Sequence, residues 1–498
     1  MKRLLALLLS LCLFVGASAC ADTLFPETES LSIFAKMSQF LEPGNTLLTD
    51  EMQKLTNTKI DFQWIPSASF TEKLSAVVAS GKLPDVIIAP AANIPMLVEQ
   101  GVIIPLDDLI AQHAPDYLSY LTEDDKVMLK QASDGKTYGV ARIFDFPYAM
   151  STIIREDWLK NVGKEAPTTW EEWLDVLRAF RDNDPNGDGA ANEIPLTFFD
   201  MGHMLNIFGI KATADDAFCV TDDGQYTLVS EHPAYKDFLE GMRLLYSEKL
   251  INQEYQTVVM NSAYQQMNDN LAGAIIAWAQ ECRTFTTTNR ATIPDAKAVC
   301  VPPIMGPAGT QLIPARAKLD VQYCITVAGE AKAEKLIKLV NWFFTEEGIK
   351  LWNYGIEGVH HEVKDGKPAI IAPHVTDFVS AYGDGLFLNS FPIYWAADAY
   401  EQVMCSGLDR SQLDELNQEF VKGLFLNEEY FYVQMPTFAT EAYIEYQADL
   451  LPKVAQIRDE YITGKIDMAT YDAEYQKLLD GGLDEVIKQA GEIYSSLK

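Results

Sequence analysis

The chain is poor in positive charge for its length. Lys and Arg number 39 against 71 Asp and Glu in 498 residues, so the formal net charge at pH 7 is −32. A field of that sign repels nucleic acid and anionic polymers, and it argues against a basic membrane-binding face. The charge balance therefore excludes proteins that bind polyanions through a basic surface and favours neutral or cationic ligands.

The chain also lacks the short motifs that mark common catalytic sites. It contains no GxSxG, HExxH, CxxC, GxxxxGK[ST] or GxGxxG. Acidic pairs such as Asp107-Asp108 are neighbours in sequence, whereas glycoside hydrolysis needs carboxylates that face each other across a cleft. We therefore predict a binding protein rather than an enzyme, with a secreted carbohydrate-active enzyme as the alternative.

Cysteine is scarce and has no metal-type or redox-type spacing. Of the seven cysteines, Cys12 and Cys20 fall in the N-terminal segment. A fold of this size buries enough apolar surface to do without disulfide staples. We expect most of the remaining five to be small buried hydrophobes rather than a disulfide framework or a metal site. These five are Cys219, Cys282, Cys300, Cys324 and Cys405.

Long apolar runs are confined to the N-terminus. Lys2-Arg3 precede an apolar stretch from Leu4 to Val15, and small residues from Gly16 to Ala19 lead to Cys20. Positive charge, then apolar residues, then small residues is the order of a secretory signal, so residues 1–20 predict export. The run is too short to span a membrane.

The end of this signal resembles a bacterial lipobox, in which the cysteine becomes the lipidated first residue. Ala17-Ser18-Ala19-Cys20 departs from that pattern at Ala17, where Leu, Val or Ile is usual. The resemblance makes Cys20 the predicted lipidation site and residues 21–30 an acidic tether, so the protein would be anchored to the cell membrane. The alternative is cleavage near Ala21 by an ordinary signal peptidase, which would release a free extracytoplasmic protein.

A dense acidic stretch, DNDPNGDGAANE, runs from Asp182 to Glu193. Oxygen-bearing side chains at alternate positions, with glycines that allow a sharp turn, are what a Ca²⁺-binding loop needs. Registers that start at Asp182 and at Asp184 both fit, and a solvated acidic turn is the alternative. Because every candidate ligand is local, we expect a structural calcium ion. In the second register the ligands are Asp184, Asn186, Asp188, the Ala190 carbonyl, Asn192 and Glu193.

Strand and helix patterns alternate in the first part of the chain. Short apolar runs at Leu31–Ala35 and Pro84–Ala89, and alternation over Lys59–Ile65, predict strands. Helical spacing over Thr46–Leu55 and Ser67–Ala79 separates them. This order predicts an α/β fold with parallel strands.

A helix directly before the acidic stretch has its own start signal. Thr169 and Glu172 have the spacing of a capping box, and an apolar stripe follows them. We assign Trp170 and Trp173, which begin this stripe, to the core.

Five motifs follow one another along the chain. They are LPDVII (83–88), GVIIPLDDLI (101–110), YGVARI (138–143), IIREDWLKNVGKEAPTTWEEW (153–173) and NWFFTEEGIKLWNYGIEG (341–358). In this order they resemble the bacterial extracellular solute-binding proteins of ABC importers, and most of all the large sugar-binding type. Alginate-binding members of that family contain a loop that resembles the acidic stretch in the register that starts at Asp184. This resemblance favours that register here.

The resemblance implies a two-lobed, periplasmic-binding-protein-like α/β fold of type II, with a hinge of several chain crossings. Lobe one would hold 30–145 and part of 300–360, and lobe two 150–295 and 375–498. The implied function is capture of an oligosaccharide between the lobes, as a monomer, and delivery to an ABC transporter permease. A surface sensor for a sugar or a peptide is a further alternative.

Sugar binding needs aromatic faces for pyranose rings and polar groups for hydroxyls. Ligands of open α/β sheets lie beyond the carboxyl ends of strands, and Trp278 follows such a predicted strand. Trp395 lies in a loop-like stretch, and both tryptophans fall where the family tends to place stacking aromatics. Phe144, Asp145 and Tyr148 fall at the expected first crossing between lobes. For each aromatic the alternative is a place in the core.

Overall fold

A computed structural model gives the structure of the chain in two compact units. Unit one comprises the described residues of 1–120, 138–142 and 321–394, and unit two those of 121–137, 143–320 and 395–498. The lobe limits expected from the sequence stay a prediction. The structure describes residues 23–37, 47–66, 69–131, 134–144, 150–212, 214, 217–314, 319–371, 394–395, 398, 402, 413–425, 431–432, 438 and 440–497.

Strands and helices alternate through much of the described chain. The strands are β1 (Glu29–Met37), β2 (Thr58–Pro66), β3 (Val86–Pro90), β4 (Val140–Phe144), β5 (Met150–Arg155), β6 (Ile194–Thr197), β7 (Phe218–Val220), β8 (Tyr226–Leu228), β9 (Ala272–Trp278), β10 (Ala298–Val301), β11 (Ile313–Pro314), β12 (Leu319–Ile325), β13 (His361–Lys364), β14 (Lys367–Ile370), β15 (Tyr394–Trp395) and β16 (Phe431–Tyr432). The helices are α1 (Leu47–Thr56), α2 (Phe70–Ser80), α3 (Ile94–Glu99), α4 (Asp107–His113), α5 (Pro115–Ser119), α6 (Glu123–Met128), α7 (Glu156–Asn161), α8 (Trp170–Asp182), α9 (Met201–Ile207), α10 (Tyr235–Ser247), α11 (Met260–Asn268), α12 (Glu281–Arg290), α13 (Ala333–Trp342), α14 (Glu346–Tyr354), α15 (Glu415–Phe425), α16 (Glu441–Ile462), α17 (Met468–Leu478) and α18 (Asp484–Leu497).

A six-stranded sheet has the order β15-β4-β12-β3-β1-β2. Strand β1 pairs in parallel with β2 and β3, and β12 runs antiparallel to β3. Val86 to Ala89 in β3 are fully buried, as expected for a continuous apolar strand inside a sheet. The order β1, α1, β2, α2, β3 confirms the alternation predicted for this part of the chain.

A four-stranded sheet in unit two has the order β10-β5-β9-β6. Strand β5 is antiparallel to β10 and β9, whereas β6 is parallel to β9. One edge of the sheet therefore joins the start of β5 to the end of β9, where Met150 pairs with Trp278. We call it the Trp278 edge. At the opposite end, the Glu193 edge, Ile194 pairs with Ala272, directly after Glu193.

Helix α8 packs against this sheet through its predicted apolar stripe. The capping box is present, because the Thr169 side chain accepts from the Glu172 amide and the Glu172 carboxylate accepts from the Thr169 amide. Trp170 and Trp173 are buried, which confirms their assignment to the core. Gly273 in β9 permits this packing, since a Cβ atom there would lie 2.5 Å from the Phe180 ring.

The cysteines follow the prediction where the structure describes them. Cys219, Cys282, Cys300 and Cys324 are buried free thiols. Burial raises the pKa of the Cys219 thiol to about 12, so this thiol stays protonated at neutral pH. Cys405 lies outside the described residues.

Candidate ligand-binding and calcium-binding sites

The acidic loop connects the end of α8 to β6 and is folded around its own carboxylates. Asp184 has φ 45°, a left-handed conformation that short polar side chains tolerate. Its two carboxylate oxygens accept from the amides of Asp188 and Gly189, each at 3.1 Å. The Asp188 carboxylate accepts from the Ala190 amide at 2.7 Å. Backbone donors thus hold two acidic side chains inside the loop.

Three carboxylates of this loop converge. Asp184, Asp188 and Glu193 each place one oxygen within 4.8 Å of the others. The Glu193 Oε1 atom is buried, and no donor among the described residues reaches it. Burial raises the pKa of Glu193, and the charges of Asp184 and Asp188 raise it further. A hard divalent cation would offset this repulsion, and an all-oxygen donor set fits Ca²⁺.

The remaining predicted calcium ligands lie beside these carboxylates. Asn192 donates to Asp188 Oδ2 at 2.9 Å, and Asn186 donates to the same oxygen at 3.2 Å. Ala190 is an exposed residue of the same loop. Asp182, by contrast, is the last residue of α8 and accepts two hydrogen bonds from Arg181, both at 2.7 Å. That ion pair favours the register that starts at Asp184.

Asn270 ties the loop to the core of unit two. Its carbonyl oxygen accepts from Asn186 at 3.4 Å. Its side-chain oxygen accepts from Arg155 Nη1 at 2.7 Å and from Trp158 Nε1 at 3.1 Å. Arg155 is itself buried and paired with Asp157 at 2.6 Å. The Glu193 edge is therefore an acidic loop braced by a buried, hydrogen-bonded network.

The Trp278 edge has the opposite character. Trp278 ends β9, is half-buried, and packs against the buried group of Met150, Ile276 and Ile313. The structure thus places Trp278 at the carboxyl end of a central strand, where the sequence predicted it. Phe199, also half-buried, packs against the same group.

Sequence reasoning missed Phe199, Asp200 and His203, which belong to this edge. Phe199 follows β6 and meets the His203 ring edge-on, with ring centres 5.2 Å apart. Asp200 caps α9 by accepting from the Gly202 amide at 2.8 Å. The buried His203 ring contacts Met150 Sδ through Nε2 at 2.8 Å. A sequence signal was available for Asp200 alone, as an acidic residue that comes directly after a strand and two phenylalanines.

The other predicted ligand residues are only partly covered by the structure. Phe144 is the last residue of β4 and Trp395 the last of β15, and these two strands are neighbours in the six-stranded sheet. Asp145, Tyr148 and Cys20 lie outside the described residues. Their roles in ligand binding and lipidation stay predictions.

The family of the chain follows from its sequence match. Residues 36–350, more than half of the chain, match the family model described as bacterial extracellular solute-binding protein. The chain belongs to this family, which confirms the resemblance found in its motifs. The family consists of binding proteins that act outside the cytoplasm. Within the described ranges, no helix is both long and apolar enough to cross a bilayer.

Two curated relatives are similar along different lengths of the chain. Lipoprotein LipO of Bacillus subtilis (strain 168) is 25% identical over 466 residues, which cover 90% of this chain and 88% of LipO. The fructooligosaccharide ABC transporter substrate-binding protein FusA of Streptococcus pneumoniae serotype 4 is 30% identical over 286 residues. That match covers 54% of this chain and 51% of FusA.

Solved structures share the fold. The alginate-binding protein AlgQ2, solved without calcium ion, has a TM-score of 0.69 at 22% identity and covers 95% of this chain and 99% of its own. A FusA EF-hand mutant in complex with fructo-nystose has a TM-score of 0.66 at 21% identity, with coverage of 94% and 99%. The chain therefore has the α/β fold of the two-lobed, periplasmic-binding-protein-like solute-binding proteins, as predicted.

Proposed function

We propose that this chain is an extracytoplasmic substrate-binding protein that captures an oligosaccharide and delivers it to the permease of an ABC transporter. The observation that carries the proposal is the Trp278 edge. There a half-buried indole ends a central strand and packs with Phe199 on one buried apolar group, and Asp200 directly follows Phe199 in the chain. Aromatic faces pack on sugar rings, and a carboxylate accepts hydrogen bonds from hydroxyl groups.

The relatives support a carbohydrate rather than another solute. FusA is named for fructooligosaccharide and AlgQ2 for alginate. The proposal assigns stacking to Trp278 and keeps Trp395, Tyr148, Phe144 and Asp145 as further ligand contacts, on their positions in the sequence. It also takes the protein to act as a monomer, anchored through a lipid on Cys20.

A structural calcium ion is the second part of the proposal. The ligands would be Asp184, Asn186, Asp188, the Ala190 carbonyl, Asn192 and Glu193, which supply the hard oxygen donors that Ca²⁺ prefers. Strand β9, seven residues long, separates the Glu193 edge from Trp278, which at the ordinary rise per residue is about 20 Å. The ion would therefore brace the loop and not touch a sugar at the Trp278 edge.

Titration calorimetry of the calcium-loaded mature domain tests the ligand site. Trp278→Ala is expected to weaken oligosaccharide binding about 30-fold or more, because the loss of an aromatic contact face costs about 2 kcal/mol. Trp278→Phe should recover part of the affinity. Tyr446→Ala, which removes a half-buried ring from α16, is the control and should bind like the wild type.

Two results would contradict the proposal. Wild-type affinity in the Trp278→Ala variant would remove Trp278 from the ligand site. Release of reducing ends from oligosaccharides by the purified wild type would favour the carbohydrate-active enzyme instead.

A further inference from the structure

Asp200 stands out among the polar groups of the Trp278 edge. It lies between Phe199 and the start of α9 and is half-buried. One carboxylate oxygen accepts a hydrogen bond from the Gly202 amide at 2.8 Å. Among the described residues, this is the only hydrogen bond to the Asp200 side chain. The second oxygen keeps its capacity to accept.

No Lys, Arg or His of the described chain forms an ion pair with Asp200. His203, three residues further on, is buried, and burial lowers the pKa of its ring to about 3, so the ring is neutral at pH 7. Burial raises the pKa of Asp200 as well. A half-buried carboxylate without a counter-ion among the described residues, directly after an aromatic residue of a candidate ligand site, is typical of a functional residue rather than a structural ion pair.

The other charged groups that the structure describes near this edge do not offer Asp200 a cation. Glu281 opens α12 three residues after Trp278, and burial raises its pKa too. Arg283 of the same helix donates to Asn417 at 2.7 Å and lies over the Phe420 ring at 4.5 Å, so α15 holds its guanidinium group. The described part of the edge is therefore negatively charged.

Resting on the proposed function, we infer that Asp200 is the acceptor that fixes a ligand hydroxyl at the Trp278 edge, and that the ligand is a neutral oligosaccharide without uronic acid units. A carboxylate accepts hydrogen bonds from two hydroxyl groups at once, and these charge-assisted bonds are stronger than neutral ones. A uronic acid unit would bring a like charge into a half-buried site and would be rejected.

The test compares Asp200→Asn with Asp467→Asn. Asp467 caps α17 in the same way, by accepting from the Thr470 amide at 2.8 Å, and Asn caps helices as well as Asp. Titration calorimetry in calcium would use a panel of neutral tri- and tetrasaccharides of fructan, glucan and galactan type, and trigalacturonate. We expect the wild type to bind a neutral sugar and not trigalacturonate. Asp200→Asn should bind that sugar about 10-fold more weakly, and Asp467→Asn equally well.

Three other results of this titration would each contradict a specific part of the account. Equal affinity in Asp200→Asn and the wild type would make Asp200 a helix cap, and tighter binding of trigalacturonate would reverse the ligand class. Either result leaves oligosaccharide capture in place. If no sugar binds the wild type, the proposed function fails and this inference with it. Asp200→Ser, a second cap-retaining variant with an unchanged melting temperature, would show that any loss of affinity is not unfolding.

Discussion

The two edges of the unit-two sheet satisfy their polar groups in opposite ways. At the Glu193 edge, exposed carboxylates are wrapped by the amides of their own loop, and Asn270 links them to a buried arginine. At the Trp278 edge, Trp278 and Phe199 pack on one buried apolar group, and the half-buried carboxylate of Asp200, which follows Phe199, has no counter-ion among the described residues. The first arrangement suits a small hard cation held for stability. The second suits a ligand that offers apolar faces and hydroxyl groups.

Of the variants proposed to test this comparison, Asp188→Ala should cause the largest loss of stability. It should leave oligosaccharide binding nearly unchanged. Removal of this carboxylate from the three that converge should abolish tight calcium binding. A hundredfold excess of calcium over its Kd stabilises the wild type by about 3 kcal/mol, and the variant should lose this increment. Thermal unfolding with calcium and with a chelator measures it, and oligosaccharide affinity should stay within a few fold.

Asp182→Ala is the matched control. Asp182 lies two residues before the first proposed ligand and is paired with Arg181, so its calcium-dependent stabilisation should equal that of the wild type. Loss of calcium binding in this control would favour the other register. A large loss of sugar affinity in Asp188→Ala at unchanged stability would couple the two edges and break the comparison.

Asn270→Gly should lower stability both with calcium and without it. Its backbone has φ 59°, which glycine adopts freely, so the change removes the side-chain acceptor of Arg155 and Trp158 without backbone strain. The buried donors left behind should cost about 2 kcal/mol in the free energy of unfolding. Denaturant unfolding measures it.

Lys249→Gly provides the comparison for that variant. Lys249 is exposed and has φ 56°, so the same substitution there removes no buried contact. Equal stability of the two variants would show that Asn270 does not brace the loop.

His203→Gln should flatten the dependence of stability on acidity, which tests the Trp278 edge. Burial lowers the pKa of His203 to about 3, whereas an unfolded chain has a histidine pKa of about 6.5. Because the unfolded state takes up the proton first, this contribution to stability is complete above pH 6.5 and is lost as the pH falls towards 3. Between pH 7.5 and 5.5 the wild type should lose about 1 kcal/mol more than the variant.

The pH experiment has its control in His113→Gln, at the end of α4 and outside this edge. This variant keeps His203, so it should keep the loss of stability that His203 causes between the two pH values. If the free energy of unfolding of His203→Gln depends on pH as strongly as that of the wild type, burial does not hold the His203 ring neutral.

The contrast between the Glu193 edge and the Trp278 edge also explains which features could be predicted from the sequence. The convergence of the acidic loop's carboxylates and the cap at Thr169 were predictable because their interacting residues lie within one short segment. Trp278 could be proposed because strand ends carry ligands in α/β folds. Phe199 and His203 could not, since their contact with Met150 depends on strand pairing between distant segments.

The most direct test is the melting temperature of the mature domain in calcium against neutral and acidic oligosaccharides. A ligand that binds the folded state alone stabilises it by about 3 kcal/mol at a hundredfold excess over its Kd. We expect a clear rise with one class of neutral oligosaccharide and none with the acidic ones. No rise with any sugar would contradict oligosaccharide capture, the central claim.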